Sequence, residues 1–464
     1  MDTGNLSKYN RLRLEYPYIS YENYYYNVRE DEIDILFSFN LAGKYFFKPS
    51  ARLLLPTGYM QQRKKGLTEG HLQNLVFHIG MIELISYWKT ACPKEIRIIP
   101  HKLLPAQVDW WKALYYNGMG EFFHVNGIKP DYKDFFNIIV TGEKELKPFS
   151  FETVPGKMVP VGGGKDSAVT LQLLKDKGYE IIPFAINPRP AINRTIEAAG
   201  LNDGQDVIVE RKLDPLMLEM NEKGFLNGHT PFSALLAFYA LLGSYVSGRA
   251  DIVLSNESSA NEPTIPGTGI NHQYSKSYHF EKTFRHYISE NISSTFNYHS
   301  FLRPLNELQI GKIFSGMKKY HGLFRSCNAG SKEDKWCGAC SKCLFTWVIL
   351  APFLDDAELE KIFGKDMASD GELAPLLDQL TGHAEEKPFE CVGTIDEVNA
   401  AMGKISATEK RKDKPLLSHY RDWANRPDHS DEMFWRKLKF SPENNPHFLD
   451  HEEQEVLKKA LRDA

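Results

Sequence analysis

From residue 157 onward, short apolar runs alternate with stretches whose apolar positions recur at helical spacing. Residues 158–161 read as a strand, 166–177 as a helix with an apolar stripe of Val169, Leu171, Leu173 and Leu174, and 180–186 as a second strand. Gly178 stands where a left-handed helix cap is wanted. Further strands are predicted at 206–209 and 251–255, separated by the segment 214–227 and a long apolar helix after Pro231. This alternation predicts an α/β fold built on a doubly wound parallel sheet, with ligands at the carboxyl ends of its strands. Ahead of it, residues 1–150 predict an N-terminal α+β domain: an alternating segment at 34–56, an amphipathic helix at 72–89, a strand at 96–99, a Trp-rich helix and a strand at 136–140. Past residue 354 the chain is more charged, and 358–365 and 404–414 read as solvated helices or loops. The expected division is therefore 1–150, a nucleotide-binding domain at 151–354 and a C-terminal extension at 355–464.

Composition narrows the class. A chain of 464 residues with 42% apolar and 25% charged positions can bury a large core. Its net charge of −4 supplies no global attraction to nucleic acid or anionic membrane, so an anionic ligand needs a local site. The apolar stretch 233–246 falls short of the ~18–20 residues of a membrane span and reads as a buried helix. The opening residues lack the apolar core of a secretory signal, which predicts a cytoplasmic location.

The most specific local signal is Val-Pro-Val-Gly-Gly-Gly-Lys-Asp-Ser at 159–167. Glycines allow backbone N–H groups to close around an anion, and a helix N-terminus adds partial positive charge. Gly162, Gly163, Gly164, Lys165, Asp166 and Ser167 are thus expected to cradle the phosphates of ATP. The Walker spacing is not met, which argues against a kinase-type loop. An ordinary strand-to-helix turn would explain one or two glycines, but not three followed by Lys-Asp-Ser. A second polar run, Ser255-Asn256-Glu257, leaves the strand at 251–255 and is expected to face the nucleotide or its metal; a plain polar loop is the bland reading.

Four of the six cysteines, Cys327, Cys337, Cys340 and Cys343, fall within seventeen residues. Closely set Cys-x-x-Cys pairs in a reducing compartment supply thiolates that converge on a metal, which favours a structural Zn²⁺; an iron–sulfur cluster or a redox pair is the chemical rival.

The glycine string resembles the Ser-Gly-Gly-x-Asp-Ser loop of the PP-loop ATP pyrophosphatase superfamily, with Gly162 in place of the leading serine. That resemblance implies a HUP-like sheet, cleavage of ATP between the α and β phosphates, and an adenine and ribose near Asn187-Pro188-Arg189-Pro190. A stiffened loop is the equal alternative for that segment. The segment 255–281, with Asn271-His272-Gln273-Tyr274-Ser275-Lys276-Ser277, is similar to one branch, the UDP-N-acetylmuramoyl-L-alanyl-L-glutamate epimerase family. So are Phe77-His78-Ile79-Gly80 leading to Tyr87-Trp88-Lys89, and Lys387-Pro388-Phe389-Glu390-Cys391-Val392-Gly393-Thr394. The 7-cyano-7-deazaguanine synthases, which also carry a four-cysteine zinc site, are the alternative branch. Those chains are shorter and would leave 1–150 and 355–464 unexplained. A non-catalytic nucleotide-binding regulator is the third reading.

The epimerase resemblance implies inversion of the terminal L-Glu of UDP-MurNAc-L-Ala-L-Glu, with ATP converted to AMP and pyrophosphate in the presence of Mg²⁺. It also leaves room for coupling to the ligase that adds L-Glu. Deprotonation beside a free carboxylate would place a second negative charge on an anion, whereas an acyl-adenylate spreads that charge into its carbonyl. Asp166 and Glu257 are the expected metal-side carboxylates. His272, Lys276 and His279 are candidate proton-transfer groups, the 272/276 spacing placing two side chains on one helix face; anchoring a loop or holding a substrate phosphate is the alternative. Cys391, outside the metal set, is a second candidate base or else a small buried hydrophobe. Arg189, Arg194, Lys276, Tyr87, Trp88, Trp110 and Trp111 could contact the UDP-muramoyl moiety, although aromatic residues on helices are usually core.

Overall fold

Eleven strands join edge to edge into one sheet in the computed structural model, which describes residues 3–60, 66–201, 204–330, 333–423 and 431–464. In chain order they are β1 (Tyr18–Val28), β2 (Glu32–Leu41), β3 (Tyr45–Phe47), β4 (Ser50–Leu54), β5 (Glu95–Ile98), β6 (Asn137–Val140), β7 (Lys157–Pro160), β8 (Ile181–Ile186), β9 (Val207–Lys212), β10 (Asp251–Leu254) and β11 (Asn297–Ser300). Their order across the sheet is β11-β10-β7-β8-β9-β4-β2-β1-β5-β6, with β3 paired to β2. Strands β7 to β11 are all parallel. Within this half the chain starts at β7, runs outward through β8 to β9, then returns to lay β10 and β11 on the other side of β7. The direction of winding therefore reverses between β7 and β10, and a crevice opens there at the carboxyl ends of the strands.

Both faces of this half are covered, as expected of a doubly wound sheet. Met158, Phe184, Ile252 and Leu254 belong to one apolar cluster, whereas Val159, Ala185 and Val253 point into another. The first cluster includes the helices Glu69–Trp88 and Phe232–Ser247, the second Lys165–Asp176, Glu307–Ser315 and Ser341–Leu350. Antiparallel pairing of β4 with β9 carries the sheet into the N-terminal segment, so hydrogen bonding is continuous across residue 150.

Several local expectations need correction. The helix predicted as amphipathic, Glu69–Trp88, is buried on every side from Asn74 to Trp88 because it lies between the sheet and Phe232–Ser247. Its polar groups are satisfied internally: His78 bonds the Asn74 carbonyl at 2.8 Å and the Tyr287 hydroxyl at 2.9 Å, and burial brings its pKa down to about 4. Gly80 lets Tyr21 cross this helix, since a Cβ there would lie 2.0 Å from the tyrosine oxygen. Tyr87, Trp88 and Trp111 are fully buried and Trp110 stacks on Tyr287, so these rings are core rather than a substrate platform. The charged stretch 358–365 forms the helix Asp356–Phe363, which buries Leu359, Ile362 and Phe363, and Arg411 is buried against the Ala351 and Leu354 carbonyls. Among the described residues, no helix is long and apolar enough to cross a membrane.

Candidate active site

The glycine run forms the bend between β7 and the helix Lys165–Asp176, at the reversal point of the sheet. Gly163 has φ +76°, and a Cβ there would press on the backbone of Ala191 and Ile192 at 3.0–3.1 Å. Only glycine suits it. Gly162 differs: a Cβ would meet nothing within 4 Å, so the position that carries serine in the PP-loop pattern faces open space. Gly164 caps the helix, the Ser167 hydroxyl donates to its carbonyl at 3.0 Å, and the Arg325 N–H holds the Gly163 carbonyl at 2.8 Å.

Across the crevice, β10 ends in Ser255, Asn256 and Glu257. The Ser255 hydroxyl is buried without a partner among the described residues, while Asn256 donates to the Ser300 hydroxyl at 3.0 Å. Asp166, Glu257 and Glu307 bring one carboxylate oxygen each to within 4.8 Å of the others. Lys165 binds Asp166 at 2.5 Å and also contacts Glu307. Burial raises the pKa of both glutamates, and Asp166 pushes them the same way, while Lys165 pulls them back. Three crowded carboxylates of this kind suit a hard divalent cation, whose charge would relieve their repulsion. Glu307 was missed by sequence reading. It opens the helix Glu307–Ser315 behind an Asn306 capping box, a signal that marks a helix start but not a site.

A second group lies beside the first. His272, Lys276 and Cys391 meet although 119 residues separate Gln273 from Val392, whose carbonyl accepts from the Gln273 amide at 3.1 Å. Lys387 pins this string by donating to Glu262 at 2.7 Å and to the Gly393 carbonyl at 2.8 Å. Glu397 extends the clamp, accepting from Ser259 at 2.6 Å and from the Glu307 N–H at 3.1 Å. Fully buried Arg303 ties the two groups together by donating to the Glu257 carbonyl at 2.6 Å and the Lys276 carbonyl at 2.5 Å. Neither Glu397 nor Arg303 carries a local sequence signal for this role.

The charges here favour a thiolate. Burial pushes the Cys391 thiol up, yet the Lys276 ammonium, the His272 hydrogen bond and Lys342 outweigh it and hold the thiol well below its ordinary range. His272 shows the complementary change: burial opposes its charge, but Cys391 and Glu121 raise it to about 9. Lys276 is also raised against burial, by Cys391 and by the Glu257 and Asp166 carboxylates. It therefore faces both groups.

Other expectations fall elsewhere. Residues 272 and 276 do not share an α-helical face, because Tyr274–Lys276 is a single 3-10 turn; Arg303 and Gln273 bring their side chains together instead. His279 is exposed and lines a separate cavity of about 390 Å³ with Asn117, Asn261 and Tyr278. Asn187, at φ +47°, spends its amide on the Arg211 backbone, donating at 2.9 Å and accepting at 2.8 Å. Arg194 is paired with Asp334 at 2.6 Å.

Cys327, Cys337, Cys340 and Cys343 converge, with sulfur separations of 3.5, 3.6 and 3.8 Å for the pairs 340/343, 337/343 and 327/340. These are free thiols. Zn–S bonds of about 2.3 Å in a tetrahedron set the sulfurs roughly 3.8 Å apart, so the cluster is compatible with a structural zinc. Its surroundings touch both groups: Ser326 backs Gly164, Asn328 donates to Glu390 at 2.8 Å, and Lys342 faces Cys391.

The comparisons with known proteins agree in extent and identity. The family model described as the MurL N-terminal domain matches residues 11–301, and that of the MurL C-terminal domain matches 323–433. The chain belongs to the MurL family. Curated relatives named UDP-N-acetyl-alpha-D-muramoyl-L-alanyl-L-glutamate epimerase include one from Salinispora tropica, 34% identical across 73% of this chain and 75% of its own length. Another from Xanthomonas oryzae pv. oryzae is 32% identical over 74% and 76%. A third, from a Micromonospora species, is 31% identical over 72% and 75%. The two MurL domain matches together span the glycine bend, Asp166, Glu257, the cysteine cluster and Cys391, with Glu307 in the interval between them.

Proposed function

We propose that this MurL-family chain is an ATP-dependent epimerase that inverts the terminal L-Glu of UDP-MurNAc-L-Ala-L-Glu through an acyl-adenylate. The observation that carries the proposal is the juxtaposition of an anion-binding glycine bend and three carboxylates with a thiol held toward its thiolate by Lys276 and His272. The first group suits nucleotide chemistry, the second proton transfer at carbon.

In this reading the glutamate α-carboxylate attacks the α-phosphorus of ATP, and pyrophosphate leaves. Gly162, Gly163, Gly164 and Ser167 hold phosphate oxygens at the helix N-terminus, while Lys165 adds positive charge. Asp166, Glu257 and Glu307 would hold Mg²⁺, which supplies charge neutralisation for the polyphosphate. The acyl carbon can then accept an electron pair. Cys391 takes the Cα proton: the C–H bond breaks, an S–H bond forms, and the electron pair passes into the acyl carbonyl, beside the Lys276 ammonium. A solvent-derived proton bonds Cα on the opposite face as the electron pair returns from the carbonyl, Cys391 gives its proton up to solvent, and water hydrolyses the adenylate to release AMP and the D-Glu product. Cys327, Cys337, Cys340 and Cys343 would hold a structural zinc, which would keep Ser326 and Lys342 in place. Residues 1–150, 151–354 and 355–464 act as three contributors to this one centre, in the cytoplasm where the nucleotide-linked precursor is made.

The test is incubation with ATP, Mg²⁺ and UDP-MurNAc-L-Ala-L-Glu in D₂O, following pyrophosphate, deuterium at Cα and product chirality. All three should appear together without an added amine. Pyrophosphate formation that requires ammonia would instead favour a synthetase of the deazaguanine type, and nucleotide binding without turnover a regulator.

A further inference from the structure

His272 is not left to Cys391 alone. Its Nδ1 lies 2.5 Å from a carboxylate oxygen of Glu121, and the same oxygen is 3.3 Å from His229 Nδ1. The two imidazole rings sit 4.5 Å apart. Glu121 comes from the short helix Gly120–Val125 and His229 from the loop before Phe232–Ser247. This helix is seated on the loop that bears His272: a Cβ on Gly120 would touch Ile270 and Asn271 at 3.6–4.0 Å, and His124 contacts Glu386 at 3.1 Å and the Phe389 ring ahead of Cys391.

We propose that Glu121, braced by His229, is a positioning residue that fixes the orientation and protonation of His272 and so prepares Cys391 for proton transfer. The inference rests on Cys391 acting as the base. With Nδ1 turned to Glu121, the remaining ring nitrogen is left for Cys391, and an imidazolium can donate to both partners at once. Both nitrogens are then occupied, which leaves His272 no lone pair for a metal. His229 remains neutral, since burial and the neighbouring His272 charge bring its pKa down to about 4, and it can donate to Glu121 without adding a second cation. The other charged groups facing this chain are Lys276, Lys342 and Glu390 around the thiol and Lys89 behind His229. None of them touches His272 Nδ1 within hydrogen-bond distance among the described residues. Glu121 thus has a task that its neighbours do not duplicate.

The test compares wild type, Glu121→Gln and Glu121→Asp by the pH profile of iodoacetamide alkylation at Cys391, read by peptide mass, alongside Cα deuterium exchange and pyrophosphate release. Glu121→Gln should move the alkylation profile to higher pH and slow exchange about tenfold or more, because an amide cannot hold the imidazolium. Glu121→Asp should recover part of both, and pyrophosphate release should change little in either. Superimposable alkylation profiles for wild type and Glu121→Gln would overturn the inference. If Glu121→Gln fails to fold, ¹⁵N-histidine spectra of wild type decide the matter: His272 doubly protonated at neutral pH supports the role, and a neutral His272 defeats it. Should Cys391→Ala retain exchange, Cys391 is not the base; the alkylation shift would still report whether Glu121 governs the thiol.

Discussion

The glycine bend and the thiol group lie side by side but are built in opposite ways. The first is largely contiguous: six residues from Gly162 to Ser167 form the bend, the helix cap and one carboxylate, and their geometry follows from strand, glycine and helix in succession. The second has no contiguous core. Glu121, the His272–Lys276 turn and Cys391 come from three separate stretches and meet through buried clamps made by Arg303, Lys387 and Gln273. A site made by local backbone conformation tolerates change far away, whereas one made by convergence depends on every segment that converges.

That contrast can be broken most sharply at Cys391. Cys391→Ala should lower Cα deuterium exchange by roughly 10²–10⁴-fold, the usual scale for losing a positioned acid–base group, while pyrophosphate still forms. Equal loss of both activities would mean that the two groups are not separable. At the other pole, Glu307→Gln should cut pyrophosphate release about 10²-fold and exchange along with it, since adenylation comes first and Lys165 loses a charged partner. Unchanged pyrophosphate kinetics would exclude Glu307 from the cation site and return this pole to its contiguous residues.

The underside of β7 offers a stability test. Lys157 is paired with Glu453 at 3.0 Å, and Glu453 also meets His299 on β11 at 3.0 Å, so the last helix, His451–Asp463, is fastened behind the glycine bend. Burial opposes its ionisation, but His299 and Lys157 bring the Glu453 pKa down to about 2. A carboxylate depressed in the folded state stabilises at pH above its ordinary unfolded value, and that stabilisation drains away as pH falls toward about 2. Glu453→Gln should therefore cost up to about 3 kcal/mol near neutrality and flatten the acid limb in denaturant melts. A variant with the wild-type acid limb would remove this fastening from the account. The smallest effects belong to the bend itself. Gly163→Ala should destabilise by about 1–2 kcal/mol through its left-handed backbone, whereas Gly162→Ser should stay within roughly 0.5 kcal/mol of wild type in thermal unfolding. Equal costs at both positions would contradict the open space beside Gly162.

Much of the fold was legible because burial imposes periodicity on sequence. The strands β7, β8 and β10, the capped helix after the glycines and the long helix after Pro231 all follow from apolar runs and turn residues. β1 is hard to read as a strand because its run of tyrosines, partly buried except for exposed Tyr25, obscures the alternation, and β11, Asn-Tyr-His-Ser, is too polar and short to read as a strand. The helix Glu69–Trp88 reads as amphipathic because polar residues interrupt its apolar run, yet His78 and Glu83 are buried, and Tyr287, Arg211 and Tyr239 satisfy them inside. Among site residues, Asp166, Glu257 and the four cysteines could be found by position in a motif, while Glu307, Arg303 and Glu121 sit in stretches that resemble ordinary caps, turns and helices.

By itself the chain determined whatever depends on neighbours in sequence: the glycine bend, its helix, the spacing of the four thiols and the alternation of strands and helices. Tertiary structure decided which strands flank the reversal at β7 and β10, which carboxylates crowd Lys165, and that Glu121, His272 and Cys391 form one hydrogen-bonded series. The reason is physical. Backbone conformation is set over a few residues, but the charge state of a buried thiol is set by whichever groups lie within a few ångströms, and those are chosen only when the chain closes on itself.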